Sequence, residues 1–143
     1  MFVRIDDYPQ DCEQKRHISV QIEDFDVYSM DTTLAHIVVP MLKKLKEVKI
    51  GVPGDIIHEF HQYAEQNPLD LGMSSKELDD LEFERAEQKW NEILDKMIWA
   101  FEQALNDYED LYSEVSSGQL ESYEKKLAEG FELFGKYYRS LWW

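Results

Sequence analysis

The chain is most constrained by a long stretch that contains neither glycine nor proline, residues 75–115. Its apolar side chains recur three and four positions apart, which places them on one face of a helix. These side chains are Trp90, Leu94, Met97, Phe101, Leu105, Tyr108, Leu111 and Val115. Ser74 and Glu77 have the spacing of a capping box at its start. The sequence therefore predicts one amphipathic helix over residues 75–115, about 60 Å long at 1.5 Å per residue.

Three other segments have the spacing or the end signals of helices. Residues 29–49 place apolar side chains on one stripe, and the interior Pro40 predicts a kink. The stripe consists of Leu34, Val38, Met41, Leu45 and Val48. Residues 55–66 predict a short helix capped by Asp55, and residues 120–143 predict an aromatic C-terminal helix.

The N-terminal region predicts a β-hairpin over residues 2–23, because residues 2–6 and 17–23 alternate apolar and polar side chains. A lone hairpin is marginally stable in water, so we expect it to lie on the helices or to pair with another chain. The expected fold is one mainly α (α+β) domain over residues 1–143. In it the hairpin packs on an antiparallel bundle of three main helices and one short helix.

Six of the last thirteen residues are aromatic. Most tail side chains form one helical stripe that we expect to pack in the core: Leu120, Tyr123, Leu127, Phe131, Phe134, Tyr138 and Leu141, with Trp142 beside it. Gly135 lies near that stripe and is expected to let a neighbouring helix approach. Leu133, Tyr137 and Trp143 fall off the stripe. Because exposed apolar surface often marks a protein contact, these three are candidate partner-binding residues.

The formal charge is −15, from 30 acidic and 15 basic side chains. Nucleic acids and anionic membranes attract basic surfaces, so direct binding to either is not expected, and a basic protein partner fits better. Residues 65–114 hold 15 acidic and 4 basic side chains. DNA mimicry is thus a minor hypothesis, since this charge density along the helices is about fourfold below that of duplex DNA.

One flank of the long helix carries Glu84, Asn91, Asp95 and Glu102 at spacings of seven, four and seven. A solvated acidic flank is the ordinary interpretation, and Glu84, Asp95 and Glu102 are its candidate partner-binding residues. Two buried carboxylates could act as acid and base. Four-helix di-iron sites, however, need Glu-x-x-His pairs, which the sequence lacks.

Two groups of side chains have the chemistry of metal ligands. Asp24, Asp26 and Asp31 lie close together, but an EF-hand would need a glycine and a glutamate where Ser29 and Ala35 stand. Capping of the following helix by Ser29 or Asp31 is the favoured interpretation.

The histidines form the second group. His58 and His61 lie three apart on one helical face, but zinc needs three or four ligands and no further Cys/His cluster follows. His36 lies opposite the apolar stripe of its helix, and we expect it to be exposed. No metal or cofactor is expected.

Catalytic motifs are missing from the sequence, which contains no Gly-rich phosphate loop, nucleophile elbow or Ser/His/Asp arrangement. We therefore expect a non-enzymatic protein. A small-nucleotide pocket would need inward-facing cations, for which Arg4, Arg16, Lys43 and Arg139 are scattered candidates.

Localisation signals favour the cytoplasm. Cys12 is the single cysteine and permits no internal disulfide, which suits a reducing compartment. The N-terminal residues form no apolar signal region, and the longest apolar run, IVVPML, is far shorter than the about 20 residues that span a bilayer.

Three segments together resemble a family of small proteins encoded by tailed bacteriophages and prophages: DVYSMDTTLAHIVVPMLKKLKE, LDKMIWAFEQ and FELFGKYYRSLWW. Family members often have tryptophan where this chain has Tyr28. The resemblance implies a phage setting, the cytoplasm of a host cell, and three helices packed as one unit. It carries over no catalytic or binding residue.

Three functions stay open at this level. The first is a non-enzymatic protein that binds or inhibits a host protein, including a defence or nucleic-acid-handling factor. The second is a phage structural or assembly accessory protein that forms homo-oligomers through its aromatic and hairpin surfaces. The third is a pocket protein for a small nucleotide or a metal.

Overall fold

The computed structural model describes residues 1–6, 15–66, 75–106 and 117–142. An antiparallel hairpin precedes helices, so the fold is mainly α with a small β-hairpin, as predicted. The strands are β1 (Phe2–Ile5) and β2 (Ile18–Gln21), and the helices are α1 (Asp24–Tyr28), α2 (Met30–Val48), α3 (Gly54–Gln66), α4 (Ser75–Gln103) and α5 (Ser117–Tyr137). A 3₁₀ turn, Tyr138–Ser140, follows α5. Among the helices of these residues, none is long and apolar enough to cross a membrane.

Helix α4 is the centre of the bundle and packs against α2, α3 and α5. Its side chains at Trp90, Leu94 and Met97 are almost completely buried, as their spacing predicted. Leu42 of α2 and Ile56 of α3 pack into the same apolar cluster. The core therefore follows the apolar face of α4.

Helices α4 and α5 approach closely at Gly130, a buried glycine of α5. A Cβ at this position would lie 2.6 Å from the carbonyl oxygen of Lys96 and would also overlap Ala100. Gly135, by contrast, has open space where a Cβ would stand. The expectation for Gly135 is therefore wrong, and Gly130 is the glycine that admits the neighbouring helix.

Helix α4 ends at Gln103, earlier than the predicted residue 115. The amides of Leu105 and Asn106 donate to carbonyl oxygens three residues back, at 3.0 and 3.2 Å. The chain therefore leaves the α-helix in a tighter turn. Side chains satisfy two carbonyls at this end: Gln103 Nε2 donates to Trp99 O, and Thr32 Oγ1 donates to Ala104 O, each at 3.2 Å. Residues 107–115 lie outside the described part of the chain.

Helix α5 begins at Ser117 and ends at Tyr137, whereas the sequence predicted a helix over residues 120–143. The backbone of Tyr137, at φ −97° and ψ 9°, leaves the α-helical region and starts the 3₁₀ turn. Leu141 and Trp142 follow in a non-helical conformation. Tightening to 3₁₀ geometry is common at helix ends, and apolar periodicity does not detect it.

Helix α2 matches the prediction in extent and only partly in orientation, because Val38 and Leu45 of the predicted stripe pack against the core. Ala35, Val39 and Leu42 are its buried residues, whereas Leu34 and Met41 of the predicted stripe are 46% and 65% exposed. Both sets recur at spacings of three and four, so periodicity alone does not decide which of them meets α4.

A short helix, α1, precedes α2 and was not predicted. Its capping box pairs Glu23 with Asp26, whose carboxylate accepts the Glu23 amide proton at 2.8 Å. Ser29 is the N-cap of α2 but makes no side-chain capping bond, and Asp31 lies in the first turn. Side-chain capping by Ser29 is therefore not the way this helix starts. Pro40 lies inside α2, as expected.

The predicted hairpin is present, with Val3 opposite Val20 and Ile5 opposite Ile18. These four side chains are 41–58% exposed. The strands therefore form as predicted, but their apolar face is not buried by the bundle.

Candidate functional site

An apolar groove of about 970 Å³ lies between α2 and the C-terminal segment. Nearly all of its lining side chains are apolar: Val38, Met41, Leu42, Leu45, Val48, Phe134, Tyr138, Leu141 and Trp142. Lys44 is the charged residue among them. A groove of this size and composition is typical of a binding site.

One wall of the groove is the stripe that the sequence analysis assigned to the core of α2. Val38, Met41, Leu45 and Val48 all line the groove, and Val38 and Leu45 also pack against the core cluster. Met41 is 65% exposed. Helix α2 is therefore apolar over a wider arc than its contact with α4 covers.

The other wall consists of aromatic residues connected to the core through ring contacts. The Phe134 ring lies 4.8 Å from that of Phe101 on α4, and 5.9 Å from that of Tyr138. The 3₁₀ turn presents Tyr138 and Trp142 to solvent at 66% and 65% exposure. The expectation that these two belong to a buried stripe is therefore wrong.

Tyr137 and Leu133, by contrast, were expected to be exposed and are not. Tyr137 is 5% exposed and packs against Trp90, and Leu133 packs on the edge of the same core cluster. Tyr137 is therefore buried and Leu133 half-buried, whereas the prediction expected both to be exposed, and their role in partner binding stays a prediction. Trp143 lies outside the described residues.

The lysines of α2 pair with the acidic flank of α4. Three ion pairs join the antiparallel helices: Lys43 Nζ to Glu102 Oε1 at 2.6 Å, Lys46 Nζ to Asp95 Oδ1 at 2.6 Å, and Lys49 Nζ to Glu87 Oε1 at 3.3 Å. Asp95 and Glu102, two of the proposed partner contacts, therefore hold α2 on α4. Glu84, the third, is exposed.

The two segments that form the groove are basic in composition, although the whole chain is acidic. Residues 38–48 and 134–142 together hold five basic side chains and one acidic one, a net +4 in a chain of −15. Lys44 pairs with Glu47 at 3.0 Å. A hydrogen bond to Tyr137 and the nearby charge of Asp55 raise the pKa of Lys136. Arg139 is exposed beside the groove.

The acidic metal-ligand candidates do not come together as a site. Asp26 holds the Met1 amine, with N–O distances of 2.7 and 2.9 Å, while Asp24 and Asp31 are exposed. The hydrogen bond between the two groups raises the pKa of the amine and lowers that of Asp26. Within the described ranges, no group of three or more His, Cys, Asp or Glu side chains could hold a metal ion.

The histidine and nucleotide-pocket candidates are dispersed. His36 and His58 are exposed, and the side chain of His61 lies outside the described part. The cations proposed for a nucleotide do not line the groove: Arg4, Arg16, Lys43 and Arg139. Arg4 pairs instead with Asp6 at 2.9 Å.

Sequence reasoning missed that Met41, Tyr138 and Trp142 form one surface. A signal was present in α2, where Ala35 and Val39 add a second apolar row beside Val38 and Met41. A helix that is apolar over such a wide arc needs more than one neighbour.

No family model, curated protein or solved structure matches the chain.

Proposed function

We propose that this protein is non-enzymatic and acts by binding another protein through the groove. The bound segment is an amphipathic helix with an apolar face and acidic flanks. The observation that carries this proposal is the groove itself, in which Met41, Tyr138 and Trp142 each keep about two thirds of their surface exposed. Contiguous exposed apolar surface of this kind marks interaction sites.

The shape of the groove favours a helical ligand. Its α2 wall runs from Val38 to Val48, about 15 Å or nearly three helical turns. Helices bind such grooves through apolar side chains spaced three and four apart. The aromatic wall supplies Tyr138 and Trp142, the residue types that contribute most to binding at interfaces.

The charge around the groove favours acidic flanks on that helix. The net charge of the whole chain suggested a basic partner, but the walls of the groove carry +4. Arg139 makes no ion pair with another described residue, so it is open to a carboxylate of a ligand. The lysines beside the groove pair with carboxylates of the chain, so the preference for acidic flanks rests mainly on Arg139.

The resemblance to phage proteins supports a partner from the infected cell. Binding through the groove would disable or redirect that partner. The ion pairs of Asp95 and Glu102 weigh against the DNA-mimic variant, because paired carboxylates imitate phosphates poorly. We therefore expect the protein to compete with other proteins that bind the partner's helix, and not with nucleic acid.

Two matched peptides test the proposal by fluorescence anisotropy. Both are 15-residue helices with leucines spaced three and four apart, one with glutamate flanks and one with lysine flanks. The glutamate peptide is expected to bind at least about tenfold more tightly at 0.15 M salt, where distant charges are screened. Met41→Glu is expected to abolish this binding.

The control is Met30→Glu, which places the same charge on an exposed methionine of α2 outside the groove. This variant is expected to bind like the wild type. Equal affinity for the two peptides would contradict the acidic-flank preference, and unchanged binding by Met41→Glu would contradict the groove as the site.

A further inference from the structure

A second apolar surface lies at the other end of the chain. One face of the hairpin carries five apolar side chains that are 41–58% exposed: Val3, Ile5, Ile18, Val20 and Ile22. Phe25 and Tyr28 of α1 follow directly, are each 84% exposed, and stack on one another at 6.0 Å. We call these seven residues the N-terminal apolar surface.

The hairpin has little to stabilise it within one chain. Two strands alone are marginally stable in water and need a third strand or a packed face. The hairpin is tied to α1 by the ion pair of the Met1 amine with Asp26, at 2.7 Å, while its apolar face stays open. A partner that covers this face would therefore stabilise the hairpin.

We propose that a second copy of the chain covers the N-terminal apolar surface and forms a two-fold symmetric dimer. The hairpins pack face to face, so that Val3, Val20 and their neighbours meet the same residues of the second copy. This inference is independent of the groove, which lies on α2 and the C-terminal segment.

Two considerations favour a second copy over another partner. The chain itself is present wherever the protein is, at a concentration equal to its own. The five exposed side chains of the hairpin face are all apolar, so the face complements itself across a two-fold axis.

The exposed area of the seven side chains is close to what a dimer interface needs. Five aliphatic side chains of roughly 100 Å² each, about half exposed, supply roughly 250 Å² per copy. Phe25 and Tyr28, at 150–250 Å² for a buried aromatic ring, add roughly 250–400 Å². The sum of about 500–650 Å² per copy reaches the lower end of specific interfaces, about 600 Å² per partner.

Light scattering coupled to gel filtration tests the proposal on the full chain. The wild type is expected to elute with twice the monomer mass of 17.0 kDa. Val20→Arg is expected to return it to the monomer mass, because two arginines would then oppose each other within an apolar contact. Gln21→Arg, on the opposite face of the same strand, is expected to stay dimeric.

The matched arginine shows whether the effect belongs to the apolar face, since Gln21 lies on the same strand but on the opposite face. Met41→Glu in the groove is expected to stay dimeric as well. A monomeric wild type at about 100 µM would overturn the proposal, and so would a Val20→Arg variant that remains dimeric. Loss of the dimer in both Val20→Arg and Gln21→Arg would equally overturn the face-to-face contact.

Discussion

The ring of Tyr137 lies 5.2 Å from that of Trp90, centroid to centroid, at an interplanar angle of 59°. Both side chains are at most 5% exposed. The contact joins the last residue of α5 to the middle of α4, at the point where the chain leaves the α-helix. It therefore orients the 3₁₀ turn that presents Tyr138 and Trp142 to the groove.

Replacement of Tyr137 by alanine is expected to lower the free energy of unfolding by roughly 3–5 kcal/mol, the range for large aromatic side chains removed from a core. Chemical denaturation followed by circular dichroism measures it. The matched control is Tyr138→Ala, which removes an exposed neighbour and is expected to change stability by less than about 0.5 kcal/mol. Equal losses in the two variants would show that Tyr137 is not the core residue.

The two glycines of α5 give a second matched pair. Gly130→Ala is expected to destabilise the protein by about 1–3 kcal/mol, because its Cβ would overlap Ala100 and the Lys96 carbonyl. Gly135→Ala meets open space and is expected to stabilise α5 by about 0.5–1 kcal/mol. Thermal unfolding distinguishes the two, and a reversed order would contradict the close approach of α4 at Gly130.

The ion pairs between α2 and α4 should differ in strength according to burial. The Lys49 side chain is only 3% exposed, so Glu87→Gln leaves a nearly buried ammonium without its partner and is expected to cost roughly 1–3 kcal/mol. Asp95→Asn breaks a more exposed pair and should cost less than about 1 kcal/mol. Urea titration of both variants tests this order, which similar losses would contradict.

The hairpin should depend on pH through the Met1 amine and Asp26. The pKa of the amine is raised above 8.0, so its contribution is complete below pH 8.0 and is lost as the pH rises through the raised value. The pKa of Asp26 is lowered from 3.8, so its contribution is complete above pH 3.8 and is lost as the pH falls through the lowered value.

The hairpin is therefore expected to be most stable between pH 3.8 and 8.0. Nuclear magnetic resonance signals of β1 and β2, recorded across the pH range, measure this stability. Asp26→Asn is expected to weaken the hairpin across this window, because it removes the negative charge. A hairpin that responds to pH in the same way with asparagine at this position would contradict the role of the ion pair.

Apolar periodicity was enough to predict the helical core, because Trp90, Leu94 and Met97 have one compatible face. It was not enough for α2, where two adjacent rows are apolar and only packing decides between them. Val39 and Leu42 are buried, whereas Val38 is half-buried and Met41 is 65% exposed, and both line the groove.

Apolar periodicity also did not predict where the helices end. Gln103 and Tyr137 end their helices through tight turns, within stretches whose apolar spacing continues unbroken. The predicted stripe of α5 was displaced even before its end, because Gly130 and Tyr137 are buried while Phe131 is 40% exposed. The close approach of α4 at Gly130 decides which face of α5 is buried, and apolar spacing does not detect it.

Chemical-shift mapping with the glutamate-flanked peptide tests the groove most directly. The proposed function predicts shifts confined to residues 38–48 and 134–142, with the Trp142 indole proton among the largest. Shifts centred instead on Glu84 and the exposed acidic side chains of α4, or no saturable shifts at millimolar peptide, would contradict it.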